Sequence, residues 1–200
     1  MINDRYTDLL QNKYKESYSL YKKNKPLVAF SSHQPVLIHL LNTIKEGRVL
    51  EFGMGYNSSP IMNLICGMQD RKLVSLETDE VWLKKFIDYK GENHNIIFMK
   101  PHELAKWNHK LFSEKYSVVF VDGAPAQLRQ PFLEKIKDNA DYIIIHDSEC
   151  VVNGIKNVYA FDFSMFKHVH HFKSSLPMTS LVSNLDELNP EVLEIFKGYE

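Results

Sequence analysis

Five short apolar runs, at 48–52, 72–77, 96–99, 117–122 and 142–146, dominate the middle of this chain. Runs such as Val118-Val119-Phe120-Val121 and Ile143-Ile144-Ile145 lack the apolar–polar alternation of a strand wetted on one face. Strands that are apolar throughout must be covered on both sides, which is the condition of a parallel sheet between helical layers. The segments between them supply those layers, with helices expected near 59–68, 79–90 and 126–138. Over 79–90 the pattern places Val81, Leu83, Phe86 and Ile87 inward and Lys84 and Lys85 outward. Two more strand-like runs, 166–172 and 179–183, are joined only by residues 173–178. No crossover helix fits in that gap, so this last pair must be antiparallel. The expected fold is α/β, a doubly wound sheet in three αβα layers.

The chain has 200 residues and a formal net charge of -1. That size suits one domain. The charge balance carries no global footprint for nucleic acid; a local patch stays open, but no basic-aromatic stretch follows the crevice, which counts against a nucleic-acid partner. No apolar run approaches the ~18–20 residues that span a bilayer, so no membrane partner is expected. The polar N-terminus lacks a signal-peptide core. Cys66 and Cys150 form no CxxC pair, which fits a reduced, cytoplasmic setting. Residues 4–23 read as a polar helix with Tyr6, Leu10, Tyr14, Tyr18 and Tyr21 along one side. That stripe would dock on the core, close as a lid, or form a dimer face. The expected division is an N-terminal helical cap at 1–30, a main domain at 31–184 and a helical tail at 185–200. The stretch 31–35 reads as a helix start, with a serine N-cap and Pro35 in the first turn.

The turn after the first run reads Glu51-Phe52-Gly53-Met54-Gly55-Tyr56-Asn57-Ser58-Ser59. Its glycines permit a tight turn and close approach of a ligand to the backbone. A dinucleotide fingerprint would place a third glycine where Ser58 stands, which counts against a nicotinamide cofactor. The second run ends in Glu77, 22 residues after Gly55, where a carboxylate can accept from both hydroxyls of a ribose. The helix start at Ser31, Ser32 and His33 has free N–H groups that favour an anion, such as a ligand carboxylate. Asp122 and Asp147 close the fourth and fifth runs, so both face the crevice at the carboxyl ends of the strands.

Glu51-Phe52-Gly53-Met54-Gly55, Glu77, Asp122-Gly123 and the terminal hairpin together resemble the class I S-adenosylmethionine-dependent methyltransferases over about residues 31–184. The resemblance implies a Rossmann-like, seven-stranded sheet of order 3-2-1-4-5-7-6 with the last strand antiparallel. It implies that Glu51, Gly53 and Gly55 lie against the methionine part of the cofactor, with Ser58, Ser32 and His33 nearby. Glu77, with Thr78 beside it, would hold the ribose, and His102 stands where the family often has an aspartate beside the adenine. Asp122 with Arg129, and His146-Asp147-Ser148-Glu149, are similar to the small-molecule O-methyltransferases. In their metal-dependent members, acids at the places of Asp122 and Asp147 bind a divalent cation. Ser148 replaces the third ligand here, and Glu149 or His146 could compensate. Oxygen ligands favour Mg²⁺, and an imidazole tilts the site toward a transition metal. Without a metal, His146 or Asp147 could act as general base. Arg129 would pair with an acidic substrate or with Asp122, or else lie on the surface of its helix.

His168, His170 and His171 read as a solvated hairpin face rather than a zinc site. Trp82 and Trp107 read as packing residues, with Trp107 able to edge an adenine pocket. The leading expectation is transfer of a methyl group from S-adenosylmethionine to a hydroxyl or amine of a small-molecule or sugar acceptor. The competing ones are an NAD(P)-linked oxidoreductase and a catalytically silent module on the same fold. The acceptor pocket would come from residues 1–30, 123–130 and 148–165, or from the second subunit of a homodimer.

Overall fold

The structure, a computed structural model, describes residues 31–149, 151–152, 155–156, 159, 161–173 and 177–197. The expected helical cap at 1–30, including Tyr14 and Tyr18, lies outside the described residues, as do Cys150 and residues 198–200.

Seven strands form one sheet: β1 (Val49–Phe52), β2 (Leu73–Glu77), β3 (His94–Phe98), β4 (Tyr116–Val121), β5 (Ala140–His146), β6 (His168–Phe172) and β7 (Thr179–Ser183). Their order is β3-β2-β1-β4-β5-β7-β6. The first five are mutually parallel, and β7 runs antiparallel to both β5 and β6. This is the order that the family resemblance implies. A short separate ribbon pairs Val151–Val152 with Ile155–Lys156.

The helices are α1 (Gln34–Thr43), α2 (Ser59–Met68), α3 (Glu80–Leu83), α4 (Pro101–Leu104), α5 (Arg129–Ile136) and α6 (Pro190–Leu193). Alternate residues of each central strand feed opposite faces of the sheet. Val49, Leu73, Val118, Phe120 and Ile144 pack with Leu37, Leu41, Ile61 and Ile65 of α1 and α2. Leu50, Leu76, Val119, Val121 and Ile145 pack with Phe132, Leu133 and Ile136 of α5 and with Phe112. Both faces are dry, which is why these strands show no polar alternation. The tail returns to the first layer, where Val192, Ile195 and Phe196 are buried. Among the described residues, no helix is long and apolar enough to cross a membrane.

Two local expectations are corrected. The segment 79–90 is not one amphipathic helix. It is the single turn of α3, capped by Asp79 (whose side chain accepts from the N–H groups of Val81 and Trp82), followed by a 3-10 turn at Ile87–Tyr89. Val81 and Ile87, both expected inward, are 72% and 41% exposed. Leu83 and Phe86 are buried as expected, Phe86 among the rings of Tyr56, Trp82 and Tyr89. The second correction concerns α1. Its N-cap is His33 rather than a serine, and no side chain caps it.

The parallel strands run in step, with Val49 opposite both Leu73 and Val118. That register brings the carboxyl ends of β1, β2, β4 and β5 to one edge of the sheet. The chain moves outward one way through β2 and β3 and the other way through β4 and β5. The reversal lies between β1 and β4, where open α/β sheets bind ligands.

Candidate functional site

The glycine turn after β1 is held from below by Glu51. Its carboxylate is fully buried and accepts from Ser58 Oγ at 2.7 Å, Ser59 Oγ at 2.9 Å and Ser75 Oγ at 2.5 Å. Burial pushes its pKa up to about 7, against the pull of those hydroxyls. Glu51 therefore acts on the shape of the turn and has no surface in the crevice. Ser75 sits opposite Glu51 in the β1–β2 register, a partner that pairing of adjacent strands could have revealed.

The two glycines differ. Gly53 adopts φ +90°, and a Cβ there would lie 2.4 Å from Gly123 Cα. Gly123 is equally tight against the ring of Phe52. The turns after β1 and β4 thus touch backbone to backbone, which only glycine permits. Gly55 has ordinary φ, and its nearest neighbour is Ser58 Oγ at 3.4 Å from a built Cβ.

Glu77 folds back on the same turn. It accepts from Met54 N at 2.9 Å, Thr78 N at 2.7 Å and Asp79 N at 2.9 Å. Burial raises its pKa, opposed by these three N–H groups. Thr78 Oγ1 donates to Ala124 O and ties the β2 end to the loop after β4. Trp82 Nε1 donates to Met54 O at 2.6 Å. Tyr56, 54% exposed, stands edge-on to the Trp82 ring, and the Lys85 ammonium lies 3.8 Å from that ring's centroid.

Across the crevice, Arg129 opens α5 with its guanidinium almost fully buried. It donates to Gly123 O at 2.6 Å, Asp122 O at 3.0 Å and His146 O at 3.3 Å. It also meets Asp122 Oδ1 at 2.8 Å and Asp147 Oδ2 at 3.3 Å, and its Cζ stands 4.3 Å from the centroid of the Tyr159 ring. Arg129 is thus engaged by the protein itself and locks the ends of β4 and β5 together. The pairing with Asp122 is as expected.

That geometry bears on the expected cation. The Arg129 guanidinium takes Asp122 Oδ1 and Asp147 Oδ2, so the oxygens left over are Asp122 Oδ2 and Asp147 Oδ1, both beside the His146 imidazole. Ser148 is buried and tied to Met178 O and Ser180 Oγ, and Glu149 accepts from Met178 N. Neither turns to the two aspartates. The Asp122–Asp147 pair thus lacks the third oxygen ligand that Mg²⁺ favours and has an imidazole as its neighbour instead.

His33 and His146 meet beside Asp122, with ring centroids 4.6 Å apart and nearly perpendicular. His33 Nε2 reaches Asn57 O at 3.2 Å, and Gln34 Nε2 donates to the same carbonyl at 3.0 Å. His146 Nε2 faces Ser32 Oγ at 3.0 Å, and its Nδ1 lies 3.3 Å from Asp122 Oδ2 and 3.7 Å from Asp147 Oδ1. The rings titrate oppositely. Burial, reinforced by the charge of His146, lowers His33 to about 3. Burial alone would lower His146 too, but the adjacent Asp122 carboxylate and then Asp147 outweigh it, and the pKa rises above 6.5. Asp122 shows the reverse: burial would raise it, and His146, Arg129 and His33 hold it below the ordinary value.

Between these groups opens one crevice of about 510 Å³, lined by Met54, Gly55, Asn57, Ser58, Asp122, His146 and Asp147 among others, with Glu51, Glu77 and Arg129 behind the lining. That is ordinary for a small-molecule site. Asp147 enters it from a left-handed backbone, φ +53°. His33 also lines it, whereas Ser32 stands behind His146. His102 is exposed on α4, outside the lining. Trp107 packs against Phe112. His168, His170 and His171 do not converge: they face Leu185 O, the Phe196 ring and Ser180 Oγ. Asn57 was missed from the sequence, although its place just after the glycines was a signal. Its Oδ1 is a buried acceptor without a partner among the described residues. Trp82, in the lining, was missed as a crevice residue because it reads as a packing residue, and Tyr56, also in the lining, was passed over inside the glycine turn.

No protein-family model matches the chain, and a search of curated proteins finds no match. Its structure is similar to several solved ones. A Klebsiella pneumoniae protein described as an O-methyltransferase superposes with a TM-score of 0.60 at 13% identity, covering 91% of this chain and 96% of that one. A Podospora anserina methyltransferase bound to S-adenosylhomocysteine gives 0.58 at 13% identity, covering 92% and 95%. A Bacillus cereus O-methyltransferase bound to S-adenosylhomocysteine gives 0.57 at 14% identity, covering 91% and 96%.

Proposed function

We propose that this chain, which has the fold of the class I S-adenosylmethionine-dependent methyltransferases, transfers a methyl group from S-adenosylmethionine to a hydroxyl or amine of a small-molecule acceptor. The observation that carries the reading is the crevice at the switch point, where a glycine turn meets two acids and a histidine at the ends of β4 and β5. The antiparallel β7 sets this sheet apart from the usual dinucleotide-binding one, and so speaks against an NAD(P)-linked oxidoreductase.

The residues fit the cofactor. The Gly53–Gly55 turn is a cradle that a Cβ at Gly53 would fill, and Asn57 Oδ1 is a buried acceptor suited to an ammonium. Met54, Gly55, Asn57 and Ser58 would hold the methionine part, with Glu77 and Thr78 at the ribose. When bound, S-adenosylmethionine supplies an electrophilic methyl group on a sulfonium.

The chain's own task is then to orient the acceptor and take its proton. Asp122 and Asp147 are the partly exposed acids of the crevice, and each can accept a hydrogen bond from the acceptor. In the metal-free protein the proton comes to rest on His146, because its pKa is raised while that of Asp122 is lowered. Arg129 keeps both acids in place and is a positioning residue. Tyr159 lies over Arg129, and Phe161 and Phe163 follow it in one aromatic row packed on the core of the α5 face.

Incubation with isotopically labelled S-adenosylmethionine and a panel of phenols, sugars and amines, read by mass spectrometry, tests the reading. Label in a small-molecule product that disappears with Asp147→Ala supports it. Cofactor binding with no transfer to any acceptor class would favour a silent module.

A further inference from the structure

We propose that His33, Asp122 and His146 form a three-ligand site for a first-row divalent transition metal of the Zn²⁺, Co²⁺ and Fe²⁺ kind. The site differs from the Asp122–Asp147 pair that the family resemblance suggested. It does not rest on the methyl-transfer reading.

The argument is one of ligand atoms. One donor atom from each of the three residues lies within 4.8 Å of the others. Both imidazoles are buried; His33 Nδ1 meets no hydrogen-bond partner among the described residues, and His146 Nδ1 has only the Asp122 carboxylate at 3.3 Å. A buried polar atom is rarely left as His33 Nδ1 is. The tautomer of His33 follows from its other nitrogen. Nε2 faces the Asn57 carbonyl, which can only accept, so Nε2 carries the proton and Nδ1 presents a lone pair. His146 is turned in the same sense, with Ser32 Oγ on Nε2 and its Nδ1 toward Asp122 Oδ2. Two ligands of a tetrahedral ion with bonds near 2 Å stand roughly 3.3 Å apart. His146 Nδ1 and Asp122 Oδ2 are 3.3 Å apart.

Outer partners fix each ligand, as metal sites require. Arg129 takes Asp122 Oδ1 and leaves Oδ2 for the ion. The Asn57 carbonyl orients His33, and Ser32 orients His146. Two imidazoles and one carboxylate select a borderline cation over Mg²⁺ or Ca²⁺. The three ligands come from the N-cap of α1 and the ends of β4 and β5, and all three line the crevice. The fourth position therefore opens toward the acceptor space.

The test uses the full chain stripped with chelator and titrated with Co²⁺ alone. A d–d absorption band of four-coordinate intensity, saturating at one equivalent, displaced by Zn²⁺ and untouched by excess Mg²⁺, is expected. His33→Gln and Asp122→Asn should each weaken Co²⁺ binding more than tenfold. The double variant His168→Gln/His170→Gln, on the hairpin face, should leave it unchanged. Far-UV circular dichroism checks that each variant folds. Should His33→Gln unfold, X-ray absorption of the wild-type cobalt protein counts the imidazoles instead, and two are expected. The proposal is overturned by the absence of a stoichiometric band, by a band that survives His33→Gln in a folded protein, or by fewer than two imidazoles. S-adenosylhomocysteine binding, measured separately, tells such a failure from failure of the methyl-transfer reading.

Discussion

Gly53 and Gly55 read alike in the sequence, and the structure assigns them unequal weights. In Gly53→Ala the new Cβ would lie 2.4 Å from Gly123 Cα, 2.5 Å from Gly123 N and 2.6 Å from the Asp122 carbonyl carbon. All three are backbone atoms, so no side chain can swing aside. The left-handed backbone at φ +90° adds its own penalty. A side chain in that region costs ~1–2 kcal/mol. Forcing extra volume into a packed site costs ~1–3 kcal/mol, so the total is about 2–5 kcal/mol. Gly55→Ala meets only Ser58 Oγ at 3.4 Å and keeps an ordinary φ. Reduced freedom of the unfolded chain stabilises such a change by ~0.4–1 kcal/mol. Urea unfolding of both variants, followed by far-UV circular dichroism near neutral pH, measures the contrast. The midpoint of Gly53→Ala should fall well below wild type, and that of Gly55→Ala should match or exceed it. Equal midpoints at equal slopes would refute the claim that backbone contact between the turns after β1 and β4 shapes the crevice.

Three further outcomes follow from the buried charges. In chelator-treated protein the rate should rise with pH as His146 loses its proton, at a pH above 6.5 because its pKa is raised. Asp122→Asn removes the main support for the charged ring, so the rising limb should move to lower pH; an unmoved limb rules out His146 as the proton acceptor. Glu51 has a folded pKa of about 7 against an ordinary 4.5, so the folded chain holds a proton that the unfolded chain has released. Its contribution is full below about 4.5 and lost as pH rises through 7. Urea midpoints should therefore fall across that window in wild type and less steeply in Glu51→Gln; parallel curves would contradict the assignment. Arg129→Met leaves two carboxylates and three carbonyls without their cation, which should cost roughly 3–5 kcal/mol by chemical denaturation. A loss below ~1 kcal/mol would show that the guanidinium does not lock β4 to β5.

The sheet was legible because its strands are apolar on both faces, a pattern that admits few architectures. The short link at 173–178 was equally decisive for the antiparallel edge. The segment 79–90 was misread because periodicity does not distinguish one helical turn plus a 3-10 turn from a continuous helix. Val81 fits the apolar stripe, yet the stripe ends with α3. At the site, Asp122 and Asp147 could be found from the rule that ligands gather at strand ends. The Arg129 bridge between them could not, because it depends on how α5 docks. His33 was noted for its place at a helix start. Its meeting with Asp122 and His146 comes from tertiary packing between positions 33, 122 and 146 of the chain, which local patterns do not carry.

The central claim is that the crevice over the Gly53–Gly55 turn is an S-adenosylmethionine site. Calorimetric titration with S-adenosylhomocysteine tests it most directly, with NAD⁺ in parallel. The account predicts one S-adenosylhomocysteine per chain, weakened by Glu77→Ala, and no heat from NAD⁺. Absence of S-adenosylhomocysteine binding at millimolar concentration, with NAD⁺ bound in its place, would contradict it.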